Sequence, residues 1–103
     1  MREFQFYVYI LASNPYGTLY TGVTNNLDCR VLQHKNDVFE GFTKRYGVHR
    51  LVWFEEHDDI LLAIEREKRI KRWRRSWRIS LIEGMNPTWD DLHETVYASH
   101  IST

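Results

Sequence analysis

The chain opens on an alternation. Over Gln5–Leu11, Phe6, Val8 and Ile10 fall on one side of an extended strand, and Tyr7 and Tyr9 on the other, the period of two that a β-strand imposes. Ser13-Asn14-Pro15-Tyr16-Gly17 is a run of turn formers. Thr18–Thr24 resumes the β-rich pattern, so the two runs read as a hairpin. Gly22 interrupts the second strand, and a glycine there marks close approach of a backbone or a ligand. Asn25 or Asn26 can cap a helix over Leu27–Lys35. Asn36–Tyr46 is polar and lacks a period, so it is expected to be irregular. Leu51–Phe54 reads as a third strand. Asp58 and Asp59 favour the N-terminus of a second helix over Ile60–Trp73. A third helix is expected over Ser76–Glu83, before Gly84, and Asn86-Pro87 turns the chain into Thr88–Leu92.

Two helical faces break the hydrophobic pattern. Leu27, Arg30, Val31 and His34 follow the i, i+3, i+4, i+7 spacing and share one face. Leu27 and Val31 demand burial, which draws Arg30 and His34 inward. Ile60, Ala63, Ile64, Glu67, Ile70 and Lys71 share a face of the second helix, with Glu67 and Lys71 near its centre, while Glu65 points to solvent. An inward carboxylate is costly unless it is paired or holds a metal. Glu67 could therefore pair with Arg30 or Lys71 as an internal salt bridge. An Arg, a His and a Glu on two apolar faces instead suggest a polar cleft, since patterning is broken most often at functional sites. Each tyrosine of the hairpin, taken alone, reads as core packing.

Composition narrows the class. A chain of 103 residues, 43% hydrophobic and 15% aromatic, suits one folded domain with one modest core and is too short for two. Cys29 is the single cysteine, so no internal disulfide can form. No apolar run approaches the roughly 18 residues of a membrane span. Met1-Arg2-Glu3-Phe4 carries no leader pattern, so a cytoplasmic location is expected. Net charge is zero but unevenly spread: −2 over residues 1–60, +6 over 61–80 and −4 over 81–103. The basic band could attract phosphates at short range, or could be a solvated helix face.

In order, Tyr7-Val8-Tyr9, Tyr20-Thr21-Gly22, Arg30, His34, Phe42-Thr43-Lys44-Arg45-Tyr46 and the helix Ala63–Trp73 around Glu67 resemble the GIY-YIG nucleases. The small bacterial members are the most similar, and the N-terminal nuclease part of the excision-repair enzyme UvrC is a larger relative. Asn86-Pro87-Thr88-Trp89-Asp90-Asp91-Leu92 resembles the family's C-terminal ending. The triplets depart from the family's at Tyr7, Val8 and Thr21, while both chemical tyrosines and Gly22 are kept. The resemblance covers residues 4 to about 92. It implies an α+β fold, a three-stranded antiparallel sheet flanked by helices, in one domain over residues 1–92, with 93–103 as a weakly structured tail.

It also implies metal-dependent hydrolysis of phosphodiesters in DNA, in a repair context. Glu67 would hold one divalent cation, Mg²⁺ or Mn²⁺. Arg30 would neutralise charge on the phosphoryl oxygens. Tyr9 would be the general base, although a free tyrosine has a pKa of about 10 and would need positive charge nearby. Tyr20 and His34 would orient water and phosphate or relay the proton. Lys44, Lys68, Lys71 and Arg72 would contact the nucleic-acid backbone. Trp73 and Trp77 are expected in the core, with base stacking as the other option. Zero net charge implies weak duplex affinity for the chain alone, which favours single-stranded or branched DNA or help from a partner protein. Two other readings use the same residues: a nucleic-acid-binding module that does not cut, and a structural interaction domain with Glu67 in a buried salt bridge.

Overall fold

The computed structural model describes residues 5–38 and 40–96. The elements run β1 (Phe6–Ala12), β2 (Leu19–Thr24), α1 (Leu27–Lys35), α2 (Phe42–Tyr46), β3 (Arg50–His57), α3 (Ile60–Arg72) and α4 (Arg75–Met85). The sheet is antiparallel with β1 in the middle, in the order β2-β1-β3. This is the expected α+β, three-stranded architecture.

Alternation along β1 splits the core in two. Val8, Ile10 and Ala12 pack with Leu19, Val52, Trp53, Ala63, Ile70, Ile82 and Trp89, which brings α3 and α4 onto one sheet face. Tyr9 and Leu11 pack with Leu27, Val31, Val48, Leu51 and Val96, which puts α1 on the other. Residues on the α1 face are therefore the odd-numbered ones of β1, and both signature tyrosines lie there.

Local signals explain the boundaries. In the β1–β2 turn, Ser13 N donates to Thr18 O and Gly17 N to Asn14 O. Asn26 caps α1 by accepting from Cys29 N at 3.1 Å, and Asp59 caps α3 by accepting from Leu61 N at 2.8 Å. A bulge between Ile10 and Leu11 opposite β3 inserts Val52 as an extra residue, so that Val52 and Trp53 both reach the α3/α4 core. Asn86 is buried beneath it and donates to Val52 O at 3.2 Å.

Three expectations need correcting. The segment Asn36–Tyr46 is not irregular throughout, because Phe42–Tyr46 forms a short helix between two positive-φ glycines, Gly41 and Gly47. With only Thr43 buried, five residues show no amphipathic period. The third strand extends to His57, past the apolar run, because Glu55–His57 pairs with Phe6–Val8 of β1, and the Glu55 carboxylate is met by His57 and Arg66. Trp77 is 52% exposed and packs edge-on against the half-buried Trp73 rather than entering the core.

The C-terminal segment returns to the sheet. Leu92 N donates to Leu51 O at 2.8 Å, and His93–Val96 makes a helical turn with Val96 buried. The expected weakly structured tail was 93–103; of it, 93–96 are this helical turn, and 97–103 lie outside the described residues. Among the described residues no helix is long and apolar enough to cross a membrane.

Candidate active site

Tyr9 and Gly22 are direct cross-strand partners. The absent side chain of Gly22 makes room for the Tyr9 ring: a Cβ there would lie 2.5 Å from the Tyr9 hydroxyl oxygen. The close approach anticipated at this glycine is thus by a side chain, not by backbone or ligand. Tyr9 is fully buried, an unusual setting for a phenol unless its hydroxyl has a partner.

That partner is His34. Its Nε2 lies 3.2 Å from Tyr9 Oη, and its Nδ1 lies 3.1 Å from Thr43 Oγ1. His34 and Thr43 are themselves buried. In one neutral tautomer the Tyr9 hydroxyl donates to Nε2 and Nδ1–H donates to Thr43, and in the other both bonds reverse. Helix spacing in α1 brings Leu27 and Val31 into the core and turns His34 inward with them, as its sequence position implied.

Tyr20 stands on β2 with its ring centroid 6.3 Å from that of Tyr9 and 5.4 Å from that of His34. Tyr20, Arg30, His34, Glu40, Phe42 and Thr43 line a cleft of about 180 Å³. The sequence-derived residues Tyr9, Tyr20, Arg30 and His34 therefore form one cluster, with Tyr9 on its buried floor.

Electrostatics follow from burial. Desolvation pushes the Tyr9 pKa up, the neighbouring Tyr20 and Glu67 add to the rise, and the adjacent Arg30 guanidinium opposes it. His34 is pushed below its ordinary value, chiefly by burial and then by the positive charges of Arg30 and His49. The free protein thus holds a neutral phenol against a neutral imidazole.

Glu67 projects inward between Ala63 and Ile70, its side chain only 13% exposed. Its charge is near enough to act on Tyr9. It pairs with Lys71 at 2.7 Å, and Lys71 is half exposed rather than central to the buried face. Among the described residues no group of three or more His, Cys, Asp or Glu is placed to hold a metal. A single inward carboxylate still fits a hard cation that keeps several waters and shares substrate oxygens.

The remaining basic positions are not gathered in the cleft. Lys44 is exposed and pairs with Glu40 at 3.0 Å. Lys68 and Arg72 line a groove on the outer face of α3 with Glu65, Arg69 and Trp73. Thr43 was not singled out from the sequence. A lone threonine in an aperiodic segment carries no signal of its own, and only the turn of α2 places it against His34.

Comparison with known proteins identifies the family and the fold. Residues 5–80 match the family model of the GIY-YIG catalytic domain. A UPF0213 protein of Clostridium perfringens is 40% identical over 78 residues, covering 76% of this chain and 83% of that protein. A UPF0213 protein of Syntrophus aciditrophicus is 35% identical over 82 residues, covering 79% and 92%. The solution NMR structure of a UPF0213 protein from Bacillus halodurans superposes with a TM-score of 0.53 at 26% identity, over 84% of this chain and 92% of that one. The chain belongs to the GIY-YIG nuclease family, among its UPF0213 members.

Proposed function

We propose that this protein is an endonuclease that hydrolyses phosphodiester bonds in DNA with the help of one divalent cation, Mg²⁺ or Mn²⁺. The observation that carries the reading is the buried Tyr9–His34–Thr43 chain at the floor of a cleft that also holds Arg30 and Tyr20. This chain sets an imidazole against a phenol beside a guanidinium, the groups that proton transfer at a phosphate requires.

Glu67 would hold the cation, with waters and substrate oxygens completing its shell. The chemistry such an ion supplies is polarisation of the scissile phosphate and stabilisation of the leaving oxygen. Lys71, long and half exposed, would swing away from Glu67 to contact phosphate. Arg30 would meet the charge that builds on the phosphoryl oxygens with its fixed fork of donors. Tyr9 would take the proton of the attacking water. Its raised pKa means that it cannot do so as a standing phenolate, so it must pass its own proton to His34 Nε2 in the same event. The lowered pKa of His34 keeps Nε2 free to accept it. Tyr20 would orient water and phosphate at the cleft wall.

The test is cleavage of end-labelled single-stranded, duplex and branched DNA by the wild-type protein with Mg²⁺ or Mn²⁺, and with a chelator. Metal-dependent cleavage of at least one substrate is expected. Binding to DNA without cleavage of any of them would leave only a binding module.

One observation favours a structural reading, the Glu67–Lys71 ion pair. If Glu67 serves the fold alone, Glu67→Ala should lower stability by up to about 1 kcal/mol, the scale of a pair whose lysine is half exposed, and should leave cleavage unchanged. If Glu67 is a cation ligand beside a half-exposed lysine, thermal melts in metal-free buffer should show little loss.

A further inference from the structure

The helix α2 carries two large aromatic side chains that its fold does not bury. Phe42 is 47% exposed and Tyr46 is 48% exposed, while Thr43 alone anchors the helix inward. Their rings lie 4.9 Å apart, and the Phe42 ring lies 6.4 Å from that of Tyr20. Phe42 also lines the cleft itself. Tyr20, Phe42 and Tyr46 therefore form a row that leads from the catalytic cluster to the surface. At its outer end the Arg45 guanidinium stands 5.5 Å from the centre of the Tyr46 ring. Gly41, Lys44 and Arg45 line a surface hollow beside the row with Glu40.

The bland account of such a pair is mutual packing one helical turn apart. That contact would stabilise an isolated helix by only about 0.2–0.5 kcal/mol. It does not explain why half of each ring faces solvent, or why the row points into the cleft. Flat aromatic faces flanked by cations are what an unpaired nucleobase and its phosphate require, whereas the bases of a duplex are already stacked on each other.

We infer that Phe42 and Tyr46 form a base-stacking subsite that receives an unpaired nucleotide next to the scissile phosphate, with Arg45 meeting its backbone. The inference rests on the reading of the cleft as a phosphodiester site and names the substrate feature that the cleft selects. Thr43 ties the subsite to the chemistry, since the same five-residue helix holds His34 and presents both rings. α2 then sets at once the position of the imidazole and of the base.

The test measures binding in chelator, where it does not depend on cleavage. The probe is a single-stranded oligodeoxynucleotide carrying 2-aminopurine, compared with the same sequence as a duplex. Wild-type protein is expected to quench the 2-aminopurine and to prefer the single strand. Phe42→Leu/Tyr46→Leu keeps apolar bulk but removes both rings. It should abolish the quenching and weaken single-strand binding by about 5- to 100-fold, the loss of one or two stacked faces, with duplex binding unchanged. Phe42→Trp/Tyr46→Phe should retain both signals. If the double leucine variant melts early, Tyr46→Leu alone at its half-exposed position carries the same test with a smaller loss. Equal single-strand binding by wild type and leucine variants, or no preference by wild type, overturns the subsite even if DNA is cut. Quenching and preference without any cleavage would support the subsite and overturn the nuclease reading.

Discussion

Tyr9 and Gly22 face each other across the hairpin, and the ring occupies the space that a side chain on Gly22 would fill. Gly22→Ala would drive a methyl group to 2.5 Å from the Tyr9 oxygen. That oxygen ends a rigid ring in a fully buried cluster, so it cannot swing aside cheaply. Overpacking of this kind costs about 1–3 kcal/mol. Denaturant unfolding should show that loss, and the Tyr9–His34 contact should be broken with it. His34 makes a prediction of opposite character. Its pKa lies below the ordinary 6.5 in the fold, because burial and the Arg30 and His49 charges resist protonation. The unfolded chain binds the proton that the folded one refuses. Stability should therefore be indifferent to this group above 6.5 and fall as pH drops below it. Unfolding midpoints measured across that range should decline more steeply for wild type than for His34→Gln. Equal slopes would remove His34 from the account.

At the scale of elements, the bulge in the β1–β3 pairing is held by one side chain. Asn86 Nδ2 donates to Val52 O at 3.2 Å and to Asp90 O at 2.8 Å, while its Oδ1 accepts from Asp90 N at 3.1 Å. Asn86→Ala leaves the buried Val52 carbonyl unmet, loses both bonds to Asp90, and should lower stability by about 1–3 kcal/mol. The lost bonds lie in the α4–β3 layer, away from the cleft, so chemical unfolding should change and cleavage per folded molecule should not. Much of this layering was legible in the sequence. The hairpin, α1 and α3 all carry a period or a cap that can be read, and helix spacing alone turned Arg30, His34 and Glu67 inward; α4 was expected to stop before Gly84 but runs through it to Met85. α2 was not legible, because five residues between two glycines bury one threonine and leave two aromatics outside. Thr43, and the exposure of Phe42 and Tyr46, were lost with it. Lys71 was misjudged for a different reason. Its backbone position is near the inward stripe, but its long side chain carries the charge out to the rim, where it meets Glu67.

Over the whole molecule, zero net charge conceals a basic band over residues 61–80 between acidic flanks. The structure divides that band. Lys71 turns to Glu67, whereas Lys68 and Arg72 border the outer groove of α3. Arg66 serves the fold, with two bonds to Glu55 at 3.0 and 3.3 Å and its guanidinium over the rings of Trp53 and Trp73. Positive charge at the cleft itself comes from Arg30. Such a cluster places charge at one point and not along the length of a duplex, which is what the proposed endonuclease would need to act on local DNA structure. Glu67, its side chain only 13% exposed, is the feature on which the nuclease reading depends most. The decisive measurement is the single-turnover cleavage rate of the wild-type protein and Glu67→Ala, side by side, on the best DNA substrate with excess Mg²⁺. A fall of at least about 10²-fold is expected, the scale of losing one preorganised electrostatic stabiliser, in a variant that stays folded. A folded Glu67→Ala protein that cleaves as fast as wild type would contradict it.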